Sequence, residues 1–208
     1  MHMNIFVVNL FRDPAMFFTV IVSVGISVCI HEFCHAYVAL KCGDRTAADA
    51  GHLTLNPLKQ MGWISVIMLL LLGFCWGAVP VNPHNLTRRG RIAVALAGPG
   101  ANIALFLVGV IVFLAACKLK LELLLVPAMM FSQLNLVLFC INIAPVPGFD
   151  GGAILAETGI AGKLYSSELG KGVMIGMMLL LFYLVDYIFL WSHKITALLI
   201  KWLWGVIS

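Results

Sequence analysis

Residues 15–40 read AMFFTVIVSVGISVCIHEFCHAYVAL, an apolar run that carries His31-Glu32-Phe33-Cys34-His35 toward its end. A helix needs about 20 apolar residues to cross hydrocarbon, and this run is long enough. Residues four apart on a helix lie one above the other, so His31 and His35 can offer two imidazoles to one Zn²⁺. Glu32 then stands beside the metal as a base for its water. Imidazoles and a carboxylate in hydrocarbon are costly unless paired, hydrated or metal-bound, which favours the metal over a chance grouping. The chemistry is therefore expected within a membrane.

Composition names the same solvent. Of 208 residues 62% are hydrophobic and 11% charged, with a mean hydropathy of +1.04, far too apolar for a soluble globular domain. The expected class is an all-α integral membrane protein, a polytopic bundle of five to six transmembrane helices. Four or five stretches qualify, from Ala15 to Leu40, Met61 to Val79, Ile92 to Cys117, Leu121 to Pro145 and Val173 to Trp191. A sixth, Ile195 to Ile207, is short, carries Lys201, and either spans or lies at the interface. His52 to Leu55 and Ala78 to Asn82 are expected as short extended re-entrant or interfacial segments.

Several classes are excluded or left unsupported. The net charge of +4 comes with no basic stripe, so no nucleic-acid partner is expected. Lys and Arg divide evenly between alternate loop ends, so the positive-inside rule assigns no orientation. The six cysteines lack the paired spacings of a thiolate zinc site or a disulfide framework and read as small buried hydrophobes. The first apolar run holds the proposed metal site, so it is not a cleavable signal peptide.

A catalytic zinc usually takes three protein ligands and keeps one position open, so the histidine pair needs a third donor. Asp150, in Asn142-Ile-Ala-Pro145-Val-Pro147-Gly148-Phe-Asp150-Gly151-Gly152, is the best candidate. Pro145 and Pro147 cannot continue a helix, and the glycines allow tight backbone paths, so Asp150 is presented from unwound chain. Irregular backbone at membrane depth requires protein or a wet cavity beside it. The competing reading makes Asp150 a cap for the following helix. Asn142 likewise has two roles open to it: an oxyanion donor in the site, or a partner for backbone carbonyls freed by the prolines.

These residues carry a family resemblance. His31-Glu32-x-x-His35 together with Asn142-x-x-Pro145-x-Pro147-x-x-Asp150-Gly151 resembles the paired signature of the site-2 protease family of intramembrane zinc metalloproteases, in its compact prokaryotic branch. Gly43-Asp44, Gly51-His-Leu-Thr-Leu-Asn56-Pro57, Val79-Pro-Val-Asn82-Pro83 and Ala97-Gly98-Pro99-x-x-Asn102 extend the likeness across about Val28 to Ile154. One departure is Leu58-Lys-Gln-Met-Gly-Trp63, where members of that branch commonly have Asp-Pro.

The resemblance implies one Zn²⁺ per chain held by His31, His35 and Asp150, with Glu32 as catalytic base; for Asn142 its position on the segment that delivers Asp150 favours the oxyanion role, making it a further catalytic candidate. It implies an endopeptidase acting on transmembrane proteins or peptides within the lipid bilayer, in a multi-pass protein of a prokaryotic cell membrane. The whole chain, 1–208, is expected to form one transmembrane metalloprotease domain with a catalytic core at about 15–155, without room for a PDZ or CBS module. The alternative is a catalytically inert zinc-binding membrane adaptor. A zinc transporter would need ligands spaced along a path rather than one base-bearing motif. Substrate identity and oligomeric state do not follow from the sequence.

Surplus polar residues have blander readings. His52, His84 and His193 read as loop or interfacial histidines. Gly98-Pro99-Gly100-Ala101 is expected to break or thin its helix and to let the histidine helix approach closely. Asn102 is a lesser candidate for a hydrogen bond within the site. Asp186 is an acid in an apolar segment, expected to make a polar contact between helices or near the interface.

Overall fold

The computed structural model describes residues 6–159 and 168–207, and among them helices alternate with turns and no strand occurs. The principal helices are α1 (Pro14–Lys41), α2 (Gly62–Leu72), α3 (Arg88–Leu119), α4 (Leu125–Asn142), α5 (Asp150–Ala156) and α6 (Glu168–Ile207). Four described stretches are long and apolar enough to cross a membrane: Pro14–Lys41, Arg88–Leu119, Glu122–Asn142 and Gly172–Val206. The architecture is an all-α membrane bundle.

The count is lower than the sequence suggested, for two local reasons. Within Met61 to Val79 the helix stops after Leu72, where Gly73 turns left-handed at φ 70°. Eleven residues rise about 16 Å, half of the hydrocarbon thickness. Residues 73–82 then continue without regular structure. At the other end, Val173 to Trp191 and Ile195 to Ile207 are one continuous helix. Ser192-His193-Lys194 contains no glycine or proline to end it. Instead Ser192 Oγ donates to the Gln133 carbonyl (2.9 Å), and His193 Nδ1 pairs with Gln133 Nε2 (2.7 Å), tying α6 to α4.

Helix boundaries follow from capping. Asp13 accepts from Met16 N (3.0 Å) with Pro14 in the first turn of α1, and Thr87 Oγ1 accepts from Gly90 N (3.1 Å) to start α3. Pro99 lies inside α3, which runs through it unbroken, contrary to the expected break. The chain turns at Gly43 (φ 104°) into Asp44, which is fully buried. Burial alone would raise the Asp44 pKa. Hydrogen bonds from Thr46 N and Oγ1, Asn85 Nδ2 and Asn82 N outweigh it and hold the carboxyl at about 2. That aspartate ties the 82–85 turn to the end of α1.

The outer face is apolar, and a set of polar side chains is buried among the core residues. Ile111, Leu179 and Phe182 are more than 60% exposed, whereas Ser27, Ser65, Asn102, Ser132 and Asn135 are fully buried. Lipid accepts the first set, and the second must find partners inside the bundle. Apolar contacts fill the remaining space. Val24, Val28, Cys29, Met61, Leu69 and Leu134 join α1, α2 and α4. Phe106, Val110, Leu114 and Leu136 join α3 to α4 and receive Leu199, Ile200 and Leu203 of α6. All six cysteines are free, but only Cys29 is buried and the other five are half-buried, short of the burial expected.

Candidate metal centre

The site is built on the facing sides of α1 and α3 and closed by the first residue of α5. Four-residue spacing on α1 brings His31 Nε2 and His35 Nε2 to 2.9 Å. Asp150 Oδ2 lies 3.2 Å from His31 Nε2, and Asp150 Oδ1 lies 3.2 Å from His35 Nε2. Asp150 does not cap its own helix: Phe149 is the N-cap residue of α5, and no side-chain cap bond forms there. The capping alternative is therefore not realised.

What presents Asp150 is the turn between α4 and α5. Gly148 takes φ 91°, and a Cβ on Gly151 or Gly152 would lie about 2.1–2.2 Å from the carbonyl oxygens of Ile143 or Val146. Only glycine permits this fold-back, which returns the chain to the histidines. The far end of α5 is held as well. Glu157 takes Arg91 Nε and Nη2 at 2.6 and 2.8 Å, its carbonyl accepts from Arg88 Nε (2.8 Å), and Arg91 Nη1 donates to the Leu86 carbonyl (2.9 Å). The paired guanidinium holds the Glu157 carboxyl below its ordinary range.

Hydrogen bonds behind the site decide which imidazole nitrogen faces it. Asn135 Nδ2 donates to the Phe131 carbonyl (2.9 Å), so Asn135 Oδ1 is left to accept from Asn102 Nδ2 (3.2 Å). Asn102 Oδ1 must then accept from His31 Nδ1–H (2.7 Å). His35 Nδ1–H donates to the Val94 carbonyl (2.7 Å). Each neutral imidazole thus carries its proton on Nδ1, with the Nε2 lone pair turned inward.

With both imidazoles neutral, three electron-pair donors converge with no proton between them. Asp150 Oδ2 is buried and has no hydrogen-bond partner among the described residues, and the donor atoms of His31, His35 and Asp150 all lie within 4.8 Å of one another. Lone pairs at these separations repel unless a cation lies among them. Tetrahedral zinc with ligands at about 2.0–2.1 Å would set them about 3.3 Å apart, close to the spacing found. The donor set fits zinc.

Glu32 stands in the same cavity, a space of about 930 Å³ that also receives Asn142, Arg91, Glu157 and Asp186. Its carboxylate makes no hydrogen bond with another described residue. The chain crosses it closely at Gly77, where a Cβ would meet Glu32 Oε1 at 2.2 Å. Asn142 ends α4 and lines the cavity, and its amide has no partner among the described residues. His52 instead meets Gln60 (3.3 Å) and His193 meets Gln133, both away from the donor set.

Sequence reasoning missed Asn135, Gly77 and the Arg91–Glu157 pair. Asn135 had a usable signal: it is buried polar side chain in an apolar helix, two turns before Asn142 and so on the same face. Replacing its neighbour tests this support. Asn102→Ala should weaken zinc about 10–100-fold, read by competition with a metal chelator, because His31 Nδ1–H loses the acceptor that fixes its tautomer. Unchanged affinity would reduce Asn102 to packing.

Comparison with known proteins points to zinc metalloproteases. Residues 19–125 match peptidase family M50. The chain is 35% identical over 162 residues to "Putative zinc metalloprotease YwhC" of Bacillus subtilis, covering 71% of this chain and 74% of that protein. It is 34% identical over 151 residues to "Putative zinc metalloprotease Rip2" of Mycolicibacterium smegmatis and of Mycobacterium tuberculosis, and spans 55–57% of those proteins' length. No solved structure matches. A family match over more than half of the sequence, with a relative of which it covers most of the length, means that the chain belongs to the site-2 protease family, peptidase family M50.

Proposed function

We propose that this chain is an intramembrane zinc metalloendopeptidase, a single domain over 1–208 that hydrolyses peptide bonds of membrane-embedded substrates in a bacterial cell membrane. One observation carries the reading: two inward-facing imidazole nitrogens and an unpartnered carboxylate converge beside an unpaired glutamate in one cavity. His31, His35 and Asp150 would hold the metal, one per chain. When bound, zinc supplies a Lewis acid that polarises the scissile carbonyl and brings a water's deprotonation near neutral pH.

Glu32 takes the proton from the attacking water and returns it to the leaving amine. Its freedom from hydrogen bonds leaves both oxygens available for that exchange. The Asn142 amide donates to the oxyanion as the carbonyl becomes tetrahedral. A substrate helix hides its carbonyls in internal hydrogen bonds and must unwind locally to react. Residues 74–82 cross the cavity in irregular chain with few backbone bonds, Ala78 N to the Gln60 carbonyl (3.1 Å) among them. They can receive an unwound segment by main-chain pairing.

Protein reconstituted in lipid vesicles with a helical membrane peptide should cleave it when zinc-loaded. Cleavage should stop when a chelator strips the metal and return when zinc is restored. A fully zinc-loaded protein that cleaves no helical peptide would favour the inert adaptor.

Asn142→Ala should keep its zinc and lose about 10²-fold in turnover. If the amide instead served the backbone near Pro145 and Pro147, thermal stability in detergent would fall while turnover per folded molecule held. Zinc content, melting temperature and cleavage on one preparation separate the two outcomes.

A further inference from the structure

The cavity extends past Glu32 and Asp150 to a wall formed by Leu181, Phe182, Val185, Asp186 and Phe189 of α6. Asp186 is the sole charged residue of that helix between Gly172 and Ser192. The sequence led to the expectation that it makes a polar contact between helices or near the interface. Its carboxylate is exposed and has neither ion pair nor hydrogen bond among the described residues. Lys194, further along the helix, lies over the Trp191 ring, 4.9 Å from its centroid.

A ledger of the charged side chains around the cavity isolates this carboxylate. Arg91 and Glu157 close on each other. A divalent metal among two neutral histidines is balanced by Asp150 and Glu32. Among the described residues Asp186 alone lines the cavity without a counter-charge, and an uncompensated carboxylate in an apolar span is costly to keep. Its neighbours on the cavity wall are apolar, a setting that suits a long aliphatic stem ending in a cation.

We propose that Asp186 forms a substrate subsite for a basic side chain, lysine or arginine, carried by the membrane segment that enters the cavity. The proposal rests on the protease reading and adds the substrate class: apolar helices with one basic residue. The subsite selects by attraction of that cation and by repulsion of an acidic residue at the same register.

The test uses a set of apolar transmembrane peptides, identical except for Lys, Gln or Glu at one guest position that is moved stepwise along the helix. Binding is measured in lipid nanodiscs to full-length zinc-loaded Glu32→Gln protein, so that affinity is read without turnover. At one register the Lys peptide should bind about tenfold tighter than the Gln peptide, and the Glu peptide weaker than both. Asp186→Asn in the same background should erase the difference, and Asp186→Lys should transfer the preference to Glu.

Equal affinities at every register, or a Lys preference that survives Asp186→Asn, would overturn the subsite. Zinc content should be unchanged in both Asp186 variants. Its loss would make Asp186 a support of the metal centre and would equally overturn the proposal. Cleavage by the Glu32 protein is scored separately. Selective binding without cleavage refutes the protease reading and leaves the subsite standing, whereas cleavage without selectivity refutes the subsite alone.

Discussion

Glu32→Gln should lower turnover by about 10²–10⁴-fold, the contribution of a positioned general base, while the bound zinc is retained. The substitution preserves shape and removes the ability to accept a proton. Because Glu32 makes no hydrogen bond with another described residue, no structural network depends on its charge. Its neighbours in the donor set are oriented from behind by Asn102 and the Val94 carbonyl, not by Glu32. Metal content should therefore match the unaltered protein, and melting temperature should not fall. Zinc analysis and cleavage of a helical membrane peptide on one preparation provide the check. Near-normal cleavage would move the chemistry off Glu32, and lost zinc would make that residue part of the metal site instead.

Local periodicity made half of the centre legible. The four-residue spacing of His31 and His35 is a statement about one helix face, and the structure keeps it. Asp150 depended on a different kind of signal: its proline and glycine neighbours show that the chain unwinds, but not where the carboxylate ends up. The fold-back of Gly151 and Gly152 against the Ile143 and Val146 carbonyls supplies that missing direction. Long-range partners were the least legible. Asn102 and Asn135 lie 33 residues apart, and their pairing follows from the approach of α3 to α4, which no spacing encodes.

The helix count was misread for a related reason. Hydropathy measures the preference of side chains for lipid and is blind to backbone stops, so the left-handed Gly73 went unweighted. The gap left at Ser192-His193-Lys194 between the last two apolar stretches is no break, because a partner on α4 takes up its polarity. In both places tertiary contact or backbone geometry overrode composition.

Two glycines allow metal binding and proton transfer to be damaged one at a time. A Cβ at Gly98 would lie 2.4 Å from His31 Nε2 and from His35 Nε2, inside the space the donor atoms share. Neither imidazole can retreat, since His31 is tied to Asn102 and His35 to the Val94 carbonyl. Gly98→Ala should therefore weaken zinc by at least about 10²-fold, beyond the usual loss from an outer-shell partner, and abolish turnover with it. A Cβ at Gly77 would instead strike Glu32, at 2.2 Å from Oε1 and 2.3 Å from the carboxyl carbon. Gly77→Ala should keep its zinc and lose about 10²-fold in turnover, because a misaligned base transfers protons poorly. Chelator competition and peptide cleavage on the two variants read these losses independently. Full zinc affinity in Gly98→Ala would show that α3 can back away from α1, and would weaken the case that the donor set is rigidly held. Unchanged turnover in Gly77→Ala would mean that residues 74–82 yield instead of Glu32.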